Sequence, residues 1–155
     1  MKILMGTCRH SMDGKNRIRI PNKFKAELAA GGESLHFVQF SEGCVAVMND
    51  TVLQQKFGRF DDLDPSNEQL LEAMRFILSR VEDVEEDGQH RVTLSKSVRD
   101  AIGLDKDHTE LVTVGMVNYI EIWRADIREA RQEGMTIQQA QTIARENATA
   151  SQQQK

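Results

Sequence analysis

The sequence predicts a β-rich α+β fold in which one supersecondary unit is present twice. The segment 13–21 (DGKNRIRIP) returns as 87–95 (DGQHRVTLS), a constant offset of 74 residues. Each copy then continues into a short amphipathic segment and two apolar runs around a turn. A repeat of this length indicates two equivalent halves that pack against each other about a pseudo-two-fold axis.

Each copy begins with a predicted hairpin. The Asp-Gly pairs favour turns. The alternation of Ile18 and Ile20 with two arginines indicates a strand with one apolar face. A loop of about five residues predicts a register that sets Met12 opposite Ile18 and His10 opposite Ile20.

A short helix and two strands follow each hairpin. Pro21 lacks an amide proton and suits the first turn of a helix, which predicts a helix over 22–28, with a counterpart over 96–102. The apolar runs that predict strands are 35–40 and 44–48 in the first copy and 111–114 and 119–123 in the second.

Two amphipathic helices are predicted between the copies. The first begins at Asn49 or Asp50, buries Val52, Leu53 and Phe57, and ends near Gly58. The second begins within 64–69, where Ser66 and Gln69 have the spacing of a capping box, and its apolar positions run from Leu70 to Val81. Both are expected mainly to cover the sheets, with some surface available for subunit contacts.

The C-terminal segment is more polar. Thr136 and Gln139 repeat the capping-box spacing, but the apolar stripe that follows is thin, and 148–155 is predicted to be disordered. The predicted division is therefore a first repeat over 1–54, a connecting helical segment over 55–80, a second repeat over 81–127, and a C-terminal helix and tail over 128–155, all within one compact domain.

Composition favours a globular cytoplasmic protein. The chain has 155 residues with 39% hydrophobic content, no apolar run of membrane-spanning length and no signal peptide, so no membrane partner is expected. Its two cysteines, Cys8 and Cys44, are expected to be free thiols.

Charge is distributed unequally between the copies. The formal net charge is −4, but residues 1–28 carry seven Lys or Arg against two acidic residues, a local charge of +5. The run 82–87, before the second turn, holds five acidic residues. Because the local field decides where an anion docks, the first copy is expected to attract phosphate and the second to repel it.

Two segments of the chain resemble a known family. The stretch 6–28 is similar to the opening of the MraZ family, bacterial regulators within the AbrB-like superfamily, and 114–123 (VGMVNYIEIW) resembles that family's second signature. The resemblance runs from about Lys2 to Ile127. It implies two tandem AbrB-like swapped-hairpin repeats that form a double-split β-barrel with flanking helices. It also implies a ring-shaped homo-oligomer and nucleoid association. The implied function is repression of the cell-division and cell-wall operon, including the chain's own gene, through repeated elements in double-stranded promoter DNA.

The resemblance and the charge pattern together select the candidate DNA-binding residues of the first copy, which are Arg17, Lys15, Asn16, Arg19 and Arg9. Arg17 has the geometry to fork onto a guanine edge, Lys15 and Arg19 suit phosphate, and Asn16 reads adenine or holds the backbone. A second set, Asp13, Gly14, Asp87 and Arg91, is expected to brace the turns.

The chain departs from the family pattern at several positions. The family loop reads Asp-x-Lys-Gly-Arg, and its glycine is replaced here by Asn16 and His90, two residue types enriched among left-handed backbones. In the second copy Glu86 stands at a usually apolar position and Ser95 replaces proline. These changes favour the first loop as the DNA reader.

The sequence gives little support to other classes of function. Cys8 and His10, completed by Cys44 or His36, form the one conceivable metal set, but their spacing is not that of zinc sites. No paired carboxylates or activated nucleophile indicate an enzyme, and no cofactor or small-molecule ligand is predicted. The remaining alternative is an AbrB-fold protein-binding module of the antitoxin type that uses its tail to hold a partner.

Overall fold

The two copies form the same series of elements in the computed structural model, which describes residues 2–58 and 64–153, the side chains of 149–153 excepted. The first copy comprises β1 (Thr7–Ser11), β2 (Arg17–Ile18), α1 (Asn22–Leu28), β3 (Leu35–Val38), β4 (Cys44–Asn49) and α2 (Asp50–Phe57). The second comprises β5 (Glu82–Asp83), β6 (Val92–Thr93), α4 (Lys96–Ile102), β7 (Glu110–Gly115), β8 (Ile120–Arg124) and α5 (Ala125–Gln132). Helix α3 (Glu68–Leu78) lies between the copies and α6 (Ile137–Gln153) follows them. The fold is thus β-rich α+β, with six α-helices in the described ranges.

The strands interlock the copies. The larger sheet is antiparallel and open, with the order β1-β7-β8-β4-β3-β5, and β2 pairs with β6 in a separate two-stranded sheet. The first strand of each copy therefore pairs with the hairpin of the other copy, and the order is unchanged when the copies are exchanged. This arrangement confirms the predicted pseudo-two-fold relation.

The predicted register of the first hairpin is wrong. The turn closes locally, since the backbone N–H of Asp13 donates to the Arg17 carbonyl at 2.9 Å. Beyond it the strands separate: Ile18 pairs with Val92 of β6, and His10 pairs with Leu111 of β7. Turn chemistry fixes the loop, but the partner of each strand is set by the apolar faces that the other copy presents.

The main core is built from equivalent residues of both copies. At the same offset of 74 residues, Ile18, Ile20, Phe24 and Leu28 match Val92, Leu94, Val98 and Ile102, and all eight are at most 4% exposed. A second cluster, Val38, Ala46, Met48, Val52 and Tyr119, packs α2 against the sheet. Because each copy contributes four of these eight residues to a single core, neither copy has a complete core of its own.

The helix boundaries largely follow the predictions. Asn49 caps α2, its side chain accepting from the Val52 amide at 2.9 Å, and the helix ends before Gly58 as predicted. Ser95 caps α4 where Pro21 precedes α1.

Two predicted helix ends differ from the structure. The cap of α3 is Asn67, which accepts from the Leu70 amide at 3.1 Å, because Ser66 instead donates to Asp64. Thr136 and Gln139 do form the reciprocal box at the start of α6. Helix α6 continues to Gln153, so residues 148–153, which were predicted to be disordered, are helical. Residues 154–155 of the predicted tail and 59–63 of the predicted connecting segment lie outside the described residues. Within the described part of the chain, no helix has the length and apolar character needed to cross a bilayer.

Candidate nucleic-acid interface

The first loop is held by the carboxylate of Asp13. Its Oδ1 accepts the backbone N–H groups of Lys15 and Arg17, each at 2.9 Å. These bonds, led by the one from the Arg17 amide, hold the pKa of Asp13 below its ordinary value. Asn16 closes the loop in the left-handed region with φ of 62°. The loop is therefore a fixed structure that holds the exposed Lys15 at its tip.

The second loop repeats this geometry bond for bond. Asp87 accepts the backbone N–H groups of Gln89 and Arg91 at 2.8 and 2.9 Å, and His90 has the same φ of 62° as Asn16. The amide of Arg91 is the main cause that lowers the pKa of Asp87 to about 2. Both carboxylates are thus ionised near neutral pH, and both loops keep the same shape despite their different sequences.

Each loop ends in an arginine oriented by its own aspartate. Arg17 Nε donates to Asp13 Oδ2 at 2.7 Å, and Arg91 Nε donates to Asp87 Oδ2 at 2.9 Å. Among the described residues, no acceptor bonds the terminal nitrogens of either guanidinium. The ion pairs therefore orient each guanidinium and leave its forked end for an acceptor outside the chain.

The two loops lie side by side. The β2–β6 pair joins them, and the Leu94 amide donates to the Asn16 carbonyl at 2.8 Å. An open cavity of about 380 Å³ on this surface is lined by Arg17, Arg19 and Arg91, together with His10, Ser11, Asp13 and Ile18. Arg91 was expected only to brace a turn. Its presence beside Arg17 could not be read from the sequence, because it depends on the pairing between copies.

Arg9 lies apart from this cavity. Its Nη1 donates to Glu129 at 2.6 Å and its Nε to Glu110 at 3.4 Å, and these carboxylates, Glu129 above all, raise its pKa. Of the predicted DNA-binding residues, Arg9 is the one whose charge is already matched by two acidic side chains. The structure brings Arg17 and Arg19 together and does not bring Arg9 to them.

The acidic run of the second copy is largely paired. Glu86 accepts from Lys25 at 2.7 Å, Asp83 lies 3.0 Å from the Nδ1 of His36, and Glu82 accepts from the Ser95 hydroxyl at 2.8 Å. With Asp87 bound to Arg91, four of the five carboxylates in this run have partners. The ion pairs of Glu86 with Lys25 and of Asp87 with Arg91 reduce the repulsion expected from the sequence, and Lys25 is in turn no longer a free cation of the first copy.

The residues weighed as metal ligands occupy separate positions. Cys8 lies on β1 opposite Thr113, and Cys44 lies on β4 opposite Trp123, where burial raises its pKa to about 12. His10 bonds the Thr113 hydroxyl at 2.6 Å, and burial lowers its pKa. Across residues 2–58 and 64–153, no three His, Cys, Asp or Glu side chains are grouped to hold a metal ion.

Comparison with known proteins identifies the family. The sequence pattern of a family described as "MraZ protein, putative antitoxin-like" matches residues 77–152. Proteins named transcriptional regulator MraZ are similar over most of the chain. The protein of Leifsonia xyli is 33% identical over 82% of this chain and 85% of its own length. That of Lachnoclostridium phytofermentans is 32% identical over 78% and 81%, and that of Natranaerobius thermophilus is 34% identical over 78% and 80%.

The class to which these relatives point is that of the transcriptional regulators. The chain belongs to the MraZ family.

Proposed function

We propose that the chain is a sequence-specific DNA-binding repressor that acts at repeated elements of its own promoter. The observation that carries this proposal is the cavity lined by Arg17, Arg19 and Arg91 where the two loops held by Asp13 and Asp87 meet. A net charge of −4 does not oppose it, because docking of phosphate depends on the local field. The relatives named transcriptional regulator MraZ support the regulatory role. The identity of the target, the cell-division and cell-wall operon, and the nucleoid location rest on the family resemblance.

The proposed contacts follow from the geometry of the loop. Arg17, oriented through its Nε by Asp13, presents its forked end to a guanine edge in the major groove. Lys15 and Arg19 are exposed and contact phosphates, and Asn16 contacts adenine or the backbone. Phosphate contacts position the protein, and the arginine supplies base recognition.

We further propose that the chain acts as a ring-shaped homo-oligomer of AbrB-like swapped hairpins. One loop with a few charged contacts binds weakly, but loops on adjacent subunits engage successive promoter repeats and raise the effective concentration. An exposed apolar patch supports assembly. Backbone hydrogen bonds join Leu4 to Val117. Val117 itself and the two neighbours of Leu4, Ile3 and Met5, are 58–68% exposed. Such patches are commonly covered by association.

The test is the affinity of purified protein for a labelled duplex from its own upstream promoter, measured by fluorescence anisotropy against a scrambled duplex. Arg17→Ala is expected to abolish the preference for the promoter. Arg75→Ala is the control, because Arg75 is also an arginine in an ion pair with acidic side chains, but lies on α3. Equal affinity of the wild type for both duplexes would refute sequence-specific binding.

The same assay tests the phosphate contact. Lys15→Ala is expected to reduce the slope of log K against log salt by about one unit for each bound subunit. A loss of affinity without a change in slope would show that Lys15 reads a base or orders the loop.

A second candidate function is an antitoxin-like protein-binding module, which the wording of the matched family description favours. Helix α6 is exposed along the part whose side chains are described, and presents Ile137 and Ile143 to solvent. This function is supported if the wild type shows no promoter preference and binds a defined protein partner at a fixed stoichiometry. Deletion of 137–155 should then abolish binding of that partner.

A further inference from the structure

His90 occupies an unusual place in the second loop. It stands at the position of Asn16 in the first loop, shares its φ of 62°, and has a side chain that is 75% exposed. Its Nδ1 lies 3.1 Å from Glu86 Oε2, and the same oxygen accepts from Lys25 Nζ at 2.7 Å. A histidine in a left-handed turn thus lies against an existing ion pair, beside the proposed DNA-binding cavity.

The contact with Glu86 decides which ring nitrogen takes up a proton. A carboxylate oxygen only accepts hydrogen bonds, so Nδ1 carries the hydrogen in the bonded arrangement. Nδ1 lies 3.1 Å from Glu86 Oε2 and 3.4 Å from Lys25 Nζ, so we assign its hydrogen bond to the nearer carboxylate. The atom that gains or loses a proton is therefore Nε2. When neutral, Nε2 offers a lone pair that repels a phosphate oxygen, and when protonated it donates to one.

The charges around His90 show what its protonation changes. Lys25 of α1 and Glu86 cancel each other, as do Asp87 and Arg91 in the loop. Burial opposes the ionisation of Glu86, but hydrogen bonds from Lys25 and His90 outweigh it and lower the pKa of this carboxyl. The amide of Arg91 lowers the pKa of Asp87 to about 2. Both carboxylates are therefore ionised near neutral pH, so a proton added to His90 would change the loop from neutral to singly positive.

The first loop already has the charge that the second one gains. Asp13 and Arg17 form an ion pair there, and Lys15 adds one positive charge. In the second loop the residue equivalent to Lys15 is the uncharged Gln89. Protonation of His90 therefore makes the two adjacent loops equal in formal charge.

We propose that His90 is a proton-dependent phosphate contact, by which acidification engages the second loop and strengthens DNA binding by the chain. This inference rests on the proposed DNA-binding function. It assigns the second repeat a regulated role in place of the weak or absent contact expected from its sequence.

The experiment compares affinity for the promoter duplex at about pH 6 and about pH 8, on either side of the range in which histidine changes charge. The wild type is expected to bind about two- to fivefold more tightly at the lower pH for each engaged second loop, the factor typical of one exposed charge pair. Its salt slope should be steeper there by about one unit for each such loop. His90→Asn should remove both changes, because asparagine tolerates the left-handed turn, as Asn16 shows, but does not titrate.

Two further variants make the result decisive. His90→Gly suits a positive φ and gives a second non-titrating loop. His108→Asn is the matched control: His108 is also exposed and its Nδ1 also bonds a carboxylate, Asp105 at 2.9 Å, but it borders a different cavity. This control should keep the pH dependence of the wild type. Thermal melting at both pH values checks that every variant is folded.

The outcomes separate this inference from the function on which it rests. Specific binding of equal strength at both pH values overturns the inference and leaves the proposed function intact. A pH dependence that persists in both His90 variants assigns it to other groups and also overturns the inference. Absence of specific binding by the wild type at both pH values contradicts the proposed function itself.

Discussion

The shared core predicts that substitutions in different repeats are energetically coupled. Ile18 and Val92 are directly paired across β2 and β6, and each is 2% exposed. Ile18→Ala removes three carbon atoms of a buried side chain, and a loss of about 2–5 kcal/mol in the free energy of unfolding is expected. Val92→Ala removes two carbon atoms from the same layer and should cost about 2 kcal/mol.

The loss in the free energy of unfolding of the double variant should differ from the sum of the losses of the two single variants. Residues in contact commonly show interaction energies of about 0.5–3 kcal/mol, whereas separated sites add to within about 0.5 kcal/mol. Urea unfolding, followed by circular dichroism at one fixed subunit concentration, measures each free energy. The control cycle combines Ile18→Ala with Val52→Ala, which is 3% exposed but belongs to the second cluster. Additivity of Ile18 with Val92, or separate unfolding transitions for the two repeats, would refute the shared core.

Three further predictions follow from local geometry. Gly115→Ala should release the N-terminal segment from β7, because an added Cβ would lie 2.4 Å from the backbone nitrogen of Met5. Amide hydrogen exchange around Leu4 should then be faster than in the wild type, and unchanged protection of these amides would contradict the prediction. In the native protein Cys8 should react with a thiol reagent well before Cys44, whose burial raises its pKa to about 12; equal rates would exclude this assignment. The ionised Asp87 carboxylate stabilises the fold fully above the ordinary pKa of an aspartate, and this stabilisation is lost as the pH falls through about 2. The wild type should therefore be more stable than Asp87→Asn near neutral pH, and this difference in the free energy of unfolding should shrink as the pH falls from the ordinary aspartate pKa to about 2. A difference that does not change with pH would contradict the geometry.

The elements were predictable from the sequence where the signals are local. The helix after Pro21, the helix start at Asn49 or Asp50 and the left-handed turn at Asn16 each depend on a few neighbouring residues, and all three are present. The register of the first hairpin was not predictable. Its turn signal is the same whether β2 folds back on β1 or crosses to the other copy, and only the core formed by Ile18 and its partner decides between these pairings.

The candidate site was predictable to the same extent. The repeat and the local charge selected Arg17 and Arg19, which line the cavity. They also selected Arg9, whose acidic partners lie 101 and 120 residues away in the sequence and are brought to it by β7 and α5. Contacts over such separations determine which charges remain available, and no local pattern reports them.

The interlocked strands have a consequence for how the two loops diverge. In a symmetric dimer of identical hairpins, one gene encodes both loops, and every substitution appears in both at once. Here the hairpins share a single core but are encoded separately, so one loop has lysine where its neighbour has glutamine, and asparagine where its neighbour has histidine. Because both hairpins lie in one chain, a substitution in one loop leaves the other unchanged, and each loop can be altered for its own task within the shared core.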